Sequence, residues 1–158
     1  MLKNLIIRKA KLKDITQTAK LAYKLNDHHA KFDRYYTLNK DALSHFKTFH
    51  KRNIYSKKSL FLVAEYENKI IGYVIGKMEE RPPIFKEKDI GFVMAMYVKE
   101  KFRRQGIAKM FLDKLLSWFK KNKITNIELH VHPKNDPGIK AWEKSGFKTF
   151  LFHQRVKL

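Results

Sequence analysis

The sequence predicts an α/β protein, with one mixed, mostly antiparallel β-sheet and helices on its faces. The first observation is that segments with apolar residues at helical spacing alternate with short runs rich in Val, Ile and aromatic residues. The second is their order, β-α-α-β-β-β-α-β-α-β, which combines a succession of three strands with strands separated by helices. At 158 residues, of which 44% are apolar, the chain is long enough to bury a core, and we expect a single domain over residues 1–158.

The first half of the chain is predicted to contain one strand, two helices and a hairpin. Residues 5–9 form a short strand, and residues 12–29 carry apolar side chains at helical spacing. Asn39 is expected to cap a second helix that runs to about His50. The runs SLFLVAEY and IIGYVIGKM then read as two strands, and residues 67–69 between them predict a tight hairpin turn.

The second half is predicted to alternate strands with helices. Residues 89–98, DIGFVMAMYV, are apolar at almost every position, which predicts a central strand buried on both faces. Residues 106–122 carry an amphipathic helical stripe, and residues 126–132, NIELHVH, form the next strand. A short helix within residues 137–146 begins at a proline and ends at a glycine, and a last strand covers residues 147–156.

Lysine and arginine dominate the charged residues of this chain. The 35 basic residues exceed the 15 acidic ones and give a formal net charge of +20. Such an excess favours anionic partners, namely nucleic acid, an acidic membrane surface or a phosphorylated cofactor. A Lys-rich surface without cysteine is also typical of thermophilic proteins, so charge alone selects no function.

Composition excludes several kinds of site. The absence of cysteine rules out disulfides, thiolate metal ligands and a cysteine nucleophile. The adjacent His28 and His29 diverge on a helix, so they predict no metal site. The apolar run near the N-terminus is too short for a signal peptide, and no run approaches the roughly 20 apolar residues of a membrane span. We therefore expect a cytoplasmic protein.

The stretch RRQGIA, residues 103–108, lies where a predicted strand gives way to a predicted helix. The first backbone N–H groups of a helix lack intrahelical partners, and together with the helix dipole they favour an anion such as phosphate. Glycine lets a ligand approach the backbone closely, and arginine suits phosphate geometry. Taken alone, the pattern also fits an ordinary basic loop, and neither the P-loop nor the dinucleotide-binding glycine pattern is present.

In its context, this stretch resembles the acyl-CoA motif of the GNAT superfamily, the Gcn5-related N-acetyltransferases, written Q/R-x-x-G-x-G/A. Arg103, Gly106 and Ala108 fill its fixed positions. The later segment LHVHPKNDPGIKAWEKSGF resembles the family pattern L-x-V-x-x-x-N-x-x-A-x-x-L-Y-E-K-x-G-F. The matching residues there are Leu129, Val131, Asn135, Glu143, Lys144, Gly146 and Phe147. The resemblance covers essentially the whole chain and implies a GNAT fold, with six to seven strands, about four helices and a splayed central strand pair.

The resemblance implies acetyl-CoA as the cofactor and assigns residues to it. The strand ending near Val98 would pair its backbone with the pantetheine arm, and residues 104–109 would enclose the pyrophosphate. Arg103 would contribute at the turn, Asn135 would hydrogen-bond the arm, and Trp142 would wall the acyl pocket or simply be buried in its helix. The implied cofactor-binding residues are Met96, Val98, Arg103, Arg104, Gln105, Gly106, Ile107, Ala108, Lys109, Asn135 and Trp142.

The resemblance leaves the catalytic residues less defined. Many relatives have a tyrosine acid where this chain has Trp142, and an indole N–H is no practical acid. The strand before the turn carries none of the glutamates found in many relatives. His132 is the candidate base because histidine titrates near neutral pH, and a solvated strand face is the alternative explanation for it. Tyr97 is the candidate donor, and its strand could also supply a backbone N–H for the oxyanion.

Two functions of different classes follow. The first is an acetyl-CoA-dependent N-acetyltransferase acting on a primary amine of a small molecule or a protein. The second is a non-catalytic CoA-binding regulatory or nucleic-acid- or ribosome-associated module of the same fold. The charge favours an acidic or ribosomal partner, the last strand could pair in a homodimer, and no membrane association is expected. Tyr35 and Tyr36 would line the acceptor site or pack, and the preceding histidine pair would lie on the surface or at the acceptor rim.

Overall fold

A computed structural model describes residues 2–158. Within them the chain forms five strands and four α-helices, with one-turn 3-10 helices between some of them. The elements are β1 (Ile6–Lys9), α1 (Ile15–Ala30), α2 (Ala42–Tyr55), β2 (Ser59–Tyr66), β3 (Lys69–Glu80), β4 (Asp89–Val98), α3 (Ile107–Lys121), β5 (Ile127–Leu129) and α4 (Asp136–Lys144). None of the helices in residues 2–158 is both long enough and apolar enough to cross a membrane.

The five strands lie in one sheet in their sequence order, β1-β2-β3-β4-β5. Strands β1 to β4 pair antiparallel with one another, and β5 pairs parallel with β4. Glu67 and Asn68 between β2 and β3 have φ angles of 48° and 60°. Two successive residues with positive φ form the type I′ turn that matches the twist of a two-residue hairpin. The predicted mixed sheet and its hairpin are confirmed.

Helix α3 packs directly on the sheet because glycines lie beneath it. Leu115 and Phe119 of α3 lie on one stripe of the helix and are fully buried. A Cβ atom at Gly76 would lie 2.3 Å from Leu115 Cδ1, and one at Gly91 would lie 2.7 Å from Phe119 Cε1. A side chain at either position would push the helix away from the strands. The glycines therefore let the C-terminal half of α3 lie directly on β3 and β4.

Helices α1 and α2 cover the opposite face of the sheet. Gln17 near the start of α1 accepts a hydrogen bond from the backbone N–H of Ile70 through its Oε1, at 3.0 Å. Thr18 Oγ1 lies 2.9 Å from Nδ1 of His50 on α2, and both side chains are buried. Their contact fixes α1 against α2 inside an otherwise apolar layer.

The predicted extents of two elements and the predicted burial of a third are wrong. Asn39 does not cap α2, because its side chain accepts a hydrogen bond from the N–H of Asp41 in a turn before the helix. The helix begins at Ala42 and continues beyond the predicted end near His50 to Tyr55. The strand predicted over residues 126–132 is confined to Ile127–Leu129, because pairing with β4 ends there. For the same reason β4 is not buried on both faces, and its residues 94–97 are partly exposed.

The predicted last strand over residues 147–156 is also wrong. Residues 147–158 form neither helix nor strand, so the sheet has five strands in place of the expected six to seven. A β-prone sequence forms a strand only where another strand pairs with its backbone. The neighbouring β5 offers three residues, and the tail leaves Phe150, Leu151 and Phe152 exposed. The tail therefore lies along the surface without joining the sheet.

Candidate active site

The turn between β4 and α3 has the backbone geometry of an anion site. Arg104 and Gly106 have positive φ angles of 59° and 81°, and Gly106 is the last residue before α3. No side chain caps the helix, and a Cβ at Gly106 would meet no atom within 4 Å. The first N–H groups of α3 therefore open toward solvent, where the helix dipole favours a negative charge.

The side chain of Arg103 is used inside this turn. Its Nε donates a hydrogen bond to the carbonyl oxygen of Val98 at 3.0 Å, which ties the turn to the end of β4. The guanidinium lies 5.7 Å from the centre of the Tyr97 ring and 3.8 Å from the Glu100 carboxylate. Arg103 thus shapes the turn, and the direct cofactor contact expected for it stays a prediction.

The remaining residues of the motif divide between core and surface. Ile107 is buried against the α3 side of the sheet, so it can contribute to a ligand through its backbone alone. Gln105 is half-buried, whereas Arg104, Ala108 and Lys109 are exposed. Lys109 Nζ lies 2.7 Å from the Asp113 carboxylate one turn along the helix. Arg103 and Lys109 thus contact neighbouring protein groups, whereas the exposed Arg104 side chain makes none of these contacts.

Strands β4 and β5 separate next to the turn, as predicted. Their pairing ends at Val93 and Leu129, although β4 continues to Val98. The register between β3 and β4 also shifts at this point, so that Met94 is left without a partner on β3. Beyond it, Met96 packs toward the α3 side and Val98 is buried. The β5-facing backbone edge of residues 94–98 is therefore not paired with β5, and the gap between this edge and the segment after β5 is called the slot.

Asn135 follows β5 in the chain and lies at the start of α4. Its Oδ1 accepts a hydrogen bond from the N–H of Gly138 at 3.1 Å, which caps the helix. A Cβ at Gly138 would lie 2.4 Å from Asn135 Nδ2, so glycine rather than the alanine usual in the family leaves room for this amide. Because Oδ1 is used by the cap, Nδ2 is the group with which Asn135 could donate to a ligand.

Trp142 has a packing role in the structure. Its ring meets the ring of Phe147 edge to face, with 5.3 Å between centroids, and it is partly buried against the α3 side of the core. The N–H of Phe147 donates to the carbonyl oxygen of Trp142 at 3.1 Å. Trp142 thus joins the end of α4 to the start of the tail, and its place in the acyl pocket stays a prediction.

An aromatic cluster joins the end of α1 to the loop after β5. His132 stacks on Phe32 with 5.6 Å between ring centroids and an interplanar angle of 13°, and Tyr36 meets His132 edge to face at 6.1 Å. His29 meets Tyr36 at 6.1 Å. Burial lowers the pKa of His29, and the charges of His28 and His132 lower it further. We call this cluster, residues 28–36 with His132, the acceptor-side cluster, because the family resemblance predicts the acceptor near Tyr35 and Tyr36.

The two predicted catalytic residues belong to different groups of contacts. Nδ1 of His132 accepts a hydrogen bond from the N–H of Lys134 at 3.1 Å, so the neutral ring carries its proton on Nε2. Tyr97 lies on β4 beside Tyr73 and beneath the guanidinium of Arg103. His132 is thus grouped with the acceptor-side cluster, whereas Tyr97 is grouped with the turn.

Sequence reasoning missed one ion pair at the acceptor-side cluster. Asp33 Oδ2 lies 2.5 Å from Nη2 of Arg155, and Asp33 Oδ1 accepts a hydrogen bond from the N–H of Tyr35 at 2.9 Å. The guanidinium of Arg155 also lies 4.5 Å from the centre of the Tyr35 ring. These hydrogen bonds, first that of Tyr35 and then that of Arg155, lower the pKa of Asp33. No sequence signal links two residues 122 positions apart.

Two surface cavities lie away from the turn. One of about 620 Å³ borders Gln154, Arg155 and Val156 in the tail, and another of about 170 Å³ lies at the β1 edge around the ion pair of Arg8 and Asp14. The first adjoins the acceptor-side cluster through Arg155. Among residues 2–158, His, Asp and Glu side chains form no group of three or more that could hold a metal ion.

Known proteins resemble this chain in sequence and in fold. The catalytic subunit NAA20 of the N-terminal acetyltransferase B complex of Arabidopsis thaliana is 33% identical over 90 residues, which are 56% of this chain and 48% of that protein. An N-alpha-acetyltransferase of Sulfurisphaera tokodaii is 30% identical over 101 residues, 58% of each chain. The chain thus spans about half the length of the curated relatives it matches.

A solved structure extends the likeness over nearly the whole chain. The crystal structure of a predicted acetyltransferase with acetyl-CoA from Clostridium acetobutylicum has a TM-score of 0.77 and 22% identity, and covers 97% of this chain and 96% of that one. A family model described as acetyltransferase (GNAT) family matches residues 21–147. The turn, the splayed strands and this match agree with the family predicted from the motifs. The chain belongs to the GNAT family of acetyltransferases, for which acetyl-CoA is the cofactor.

Proposed function

We propose that the protein is an acetyl-CoA-dependent N-acetyltransferase, and that its acceptor is the α-amine of a protein or peptide. The observation that carries the proposal is the uncapped start of α3 behind Gly106, beside the open backbone edge of β4. This arrangement offers N–H groups to a pyrophosphate and a slot to the arm attached to it. The curated relatives are named as N-terminal or N-alpha-acetyltransferases, which supports the α-amine over other amines.

Each residue of the donor half then has a defined task. The backbone of residues 104–109 binds the pyrophosphate, and Arg104 adds a positive charge from its exposed side chain. Arg103 keeps the turn in place through its bond to Val98. Asn135 directs Nδ2 to the pantetheine arm while Oδ1 caps α4. Acetyl-CoA, when bound, supplies the thioester whose acetyl group is transferred.

The acceptor half must take a proton from an amine that is mostly protonated near neutral pH. His132 is the candidate base, and it would accept the proton at Nδ1 by giving up its bond from the Lys134 N–H. A backbone N–H of β4 near Met96 or Tyr97 would stabilise the oxyanion. Trp142 occupies the position of the tyrosine acid of many relatives, so Tyr97 is the candidate donor, and the thiolate of CoA can also take its proton from solvent after release.

A second candidate is a CoA-binding module without catalytic activity. Trp142 is held by packing against Phe147, and Phe92, Met94 and Met96 of β4 carry no carboxylate, so neither residue type that relatives use for proton transfer is present at these positions. The net charge of +20 would then serve an acidic or ribosomal partner. This candidate keeps acetyl-CoA binding and predicts that no amine is acetylated.

The test is acetyl transfer to synthetic peptides, followed by mass spectrometry. One peptide has a free N-terminus and no lysine, and its matched control has a blocked N-terminus and one internal lysine. We expect acetylation of the first peptide alone, and its loss in Gly106→Trp. Acetylation of lysine alone would contradict the α-amine as acceptor. Tight binding of acetyl-CoA without any transfer, also to a panel of small amines, would favour the non-catalytic module.

A further inference from the structure

The acceptor-side cluster contains a site that already holds a cation. The guanidinium of Arg155 meets the Asp33 carboxylate at 2.5 Å and lies 4.5 Å above the Tyr35 ring. A carboxylate in the plane of a guanidinium and an aromatic ring against its face together satisfy the two ways in which such a cation is recognised. Arg155 belongs to the tail, whose other residues form no helix or strand.

The carboxylate is built into its place, whereas the arginine is not. Asp33 follows Phe32, which stacks on His132, and its second oxygen is fixed by the N–H of Tyr35. Its side chain retains 27% exposure, against 50% for the side chain of Arg155. The neighbours Phe150, Leu151, Phe152 and Val156 of the tail are more than half exposed. Arg155 is therefore held by Asp33 and Tyr35 rather than by the packing of the tail around it.

The site lies beside the candidate base. Asp33 directly follows Phe32, whose ring stacks on His132. The charge of His132 also helps to lower the pKa of the Asp33 carboxyl. An extended peptide advances about 3.3–3.6 Å per residue. A peptide whose α-amine lies at His132 would thus bring the side chain of its second or third residue within reach of Asp33.

We propose that Asp33 and Tyr35 form a cation subsite for a basic side chain near the N-terminus of the acceptor, and that Arg155 occupies this subsite when no acceptor is bound. The inference rests on the proposed function and names the acceptor class: peptides with Lys or Arg as second or third residue. The tail competes with the acceptor because its guanidinium uses the same carboxylate and the same ring.

The charges around the subsite sharpen this assignment. Arg34 is exposed on the same segment, and Lys134 Nζ lies 3.4 Å from the carbonyl oxygen of Phe32. The chain as a whole repels cations at long range, since its net charge is +20. Asp33 is thus a local carboxylate in basic surroundings, and a second cation gains access to it when Arg155 leaves.

The experiment measures acetylation of two hexapeptides with free N-termini that differ only in having Lys or Gln at positions 2 and 3. The subsite predicts opposite effects for its two charged members. Arg155→Gln should lower the KM of the Lys peptide about fivefold, because the competing guanidinium is gone. Asp33→Asn should raise that KM about fivefold and make the two peptides equal. Arg34→Gln and Lys157→Gln are matched controls that remove one positive charge from each segment, and should change the ratio of the two KM values less than twofold.

If the ion pair of Asp33 and Arg155 only attaches the tail to the cluster and binds no acceptor, a different pattern is expected. Asp33→Asn and Arg155→Gln would then change both peptides in the same direction, whatever their charge, and that result would overturn the proposal. A second measurement follows binding of the same peptides, labelled at the C-terminus, by fluorescence anisotropy. It applies whether or not acetyl transfer occurs.

Failure of the proposed function and failure of the subsite give distinct results. If no peptide is acetylated while Arg155→Gln binds the Lys peptide more tightly and Asp33→Asn more weakly, the subsite stands and the enzymatic proposal fails. If both peptides are acetylated and bound equally by all variants, the enzyme stands and the subsite is refuted. Equal or absent binding in every variant likewise refutes the subsite.

Discussion

The turn after β4 and the acceptor-side cluster are formed in different ways, the first from backbone groups and the second from side chains. The turn consists of one continuous stretch, and its positive φ angles at Arg104 and Gly106 direct backbone N–H groups outward. The cluster instead combines side chains from the end of α1 and the segment after it with His132 of the loop after β5, and Arg155 of the tail contacts it. Backbone geometry is set by a few adjacent residues, whereas a cluster of this kind depends on three segments meeting.

This difference teaches which half of a site tolerates change. Side chains in the turn can vary as long as the glycine and the backbone path are kept, because the ligand meets mainly N–H groups. In the cluster, each ring and charge is itself the contact, so a substitution there alters recognition directly. The donor half should therefore be uniform in such proteins, and the acceptor half should differ with the substrate.

The largest effect should come from blocking the turn. Gly106→Trp places an indole in the open space before α3, where a Cβ meets no protein atom. Losing two charge-assisted hydrogen bonds should weaken acetyl-CoA binding by about 100- to 10,000-fold, as measured by calorimetry. Gly146→Trp is the matched control, since Gly146 also has positive φ, 92°, and open space around it. Equal loss of binding in both variants would show that strain, and not the blocked turn, is responsible.

A substitution in the cluster should act on turnover and leave the donor half intact. His132→Gln should lower kcat about 100-fold and remove the acidic limb of its pH profile, because a general base contributes on that order. Acetyl-CoA affinity should stay the same. His130→Gln on the same segment, whose ring faces Phe92, is the control. An unchanged pH profile in His132→Gln would exclude this residue as the base.

The free energy of unfolding should depend on pH through His50, which is buried between α1 and α2. Burial lowers the pKa of His50 from 6.5 to about 4, so the folded state favours the neutral ring. This stability is present above pH 6.5 and is lost as the pH falls toward 4, on the order of 3 kcal/mol in total. Thermal unfolding between pH 7 and 4 measures it. The His50→Gln variant should show a shallower slope, and an identical slope would contradict the assignment.

The smallest effect should come from Arg103, which supports the turn without capping it. Arg103→Ala removes the hydrogen bond to the carbonyl oxygen of Val98. The loss should destabilise the folded conformation of the turn by about 1 kcal/mol. Acetyl-CoA affinity should fall about fivefold while kcat at saturating acetyl-CoA is unchanged. A loss of 100-fold or more would indicate that Arg103 contacts the phosphates itself, as the family motif suggested.

The same division explains what could be predicted from the sequence. Most helices and strands could be predicted because each depends on local periodicity. Strand β4, for example, was predicted at its observed bounds, Asp89–Val98. The turn was readable because Gly106 and its neighbours form one short motif. The last strand over residues 147–156 was predicted wrongly, since strand propensity carries no information on whether a partner strand is within reach.

The acceptor half was readable only in fragments. Sequence reasoning singled out His132, Tyr35 and Tyr36, but it treated them as separate residues with alternative roles. The stacking of His132 on Phe32 and the pairing of Asp33 with Arg155 join positions about 100 or more residues apart. Such pairs follow from the tertiary arrangement of segments that are distant in the chain, which local sequence patterns do not encode.

The glycines beneath α3 have a mechanical consequence. Because Leu115 and Phe119 touch the backbone of β3 and β4 directly, helix α3 and these strands should move as one rigid body. Strand β5 meets that body through three residue pairs. A thioester with a longer acyl chain would therefore be accommodated by an outward hinge of β5 and α4, while the distance from the turn to β4 stays constant.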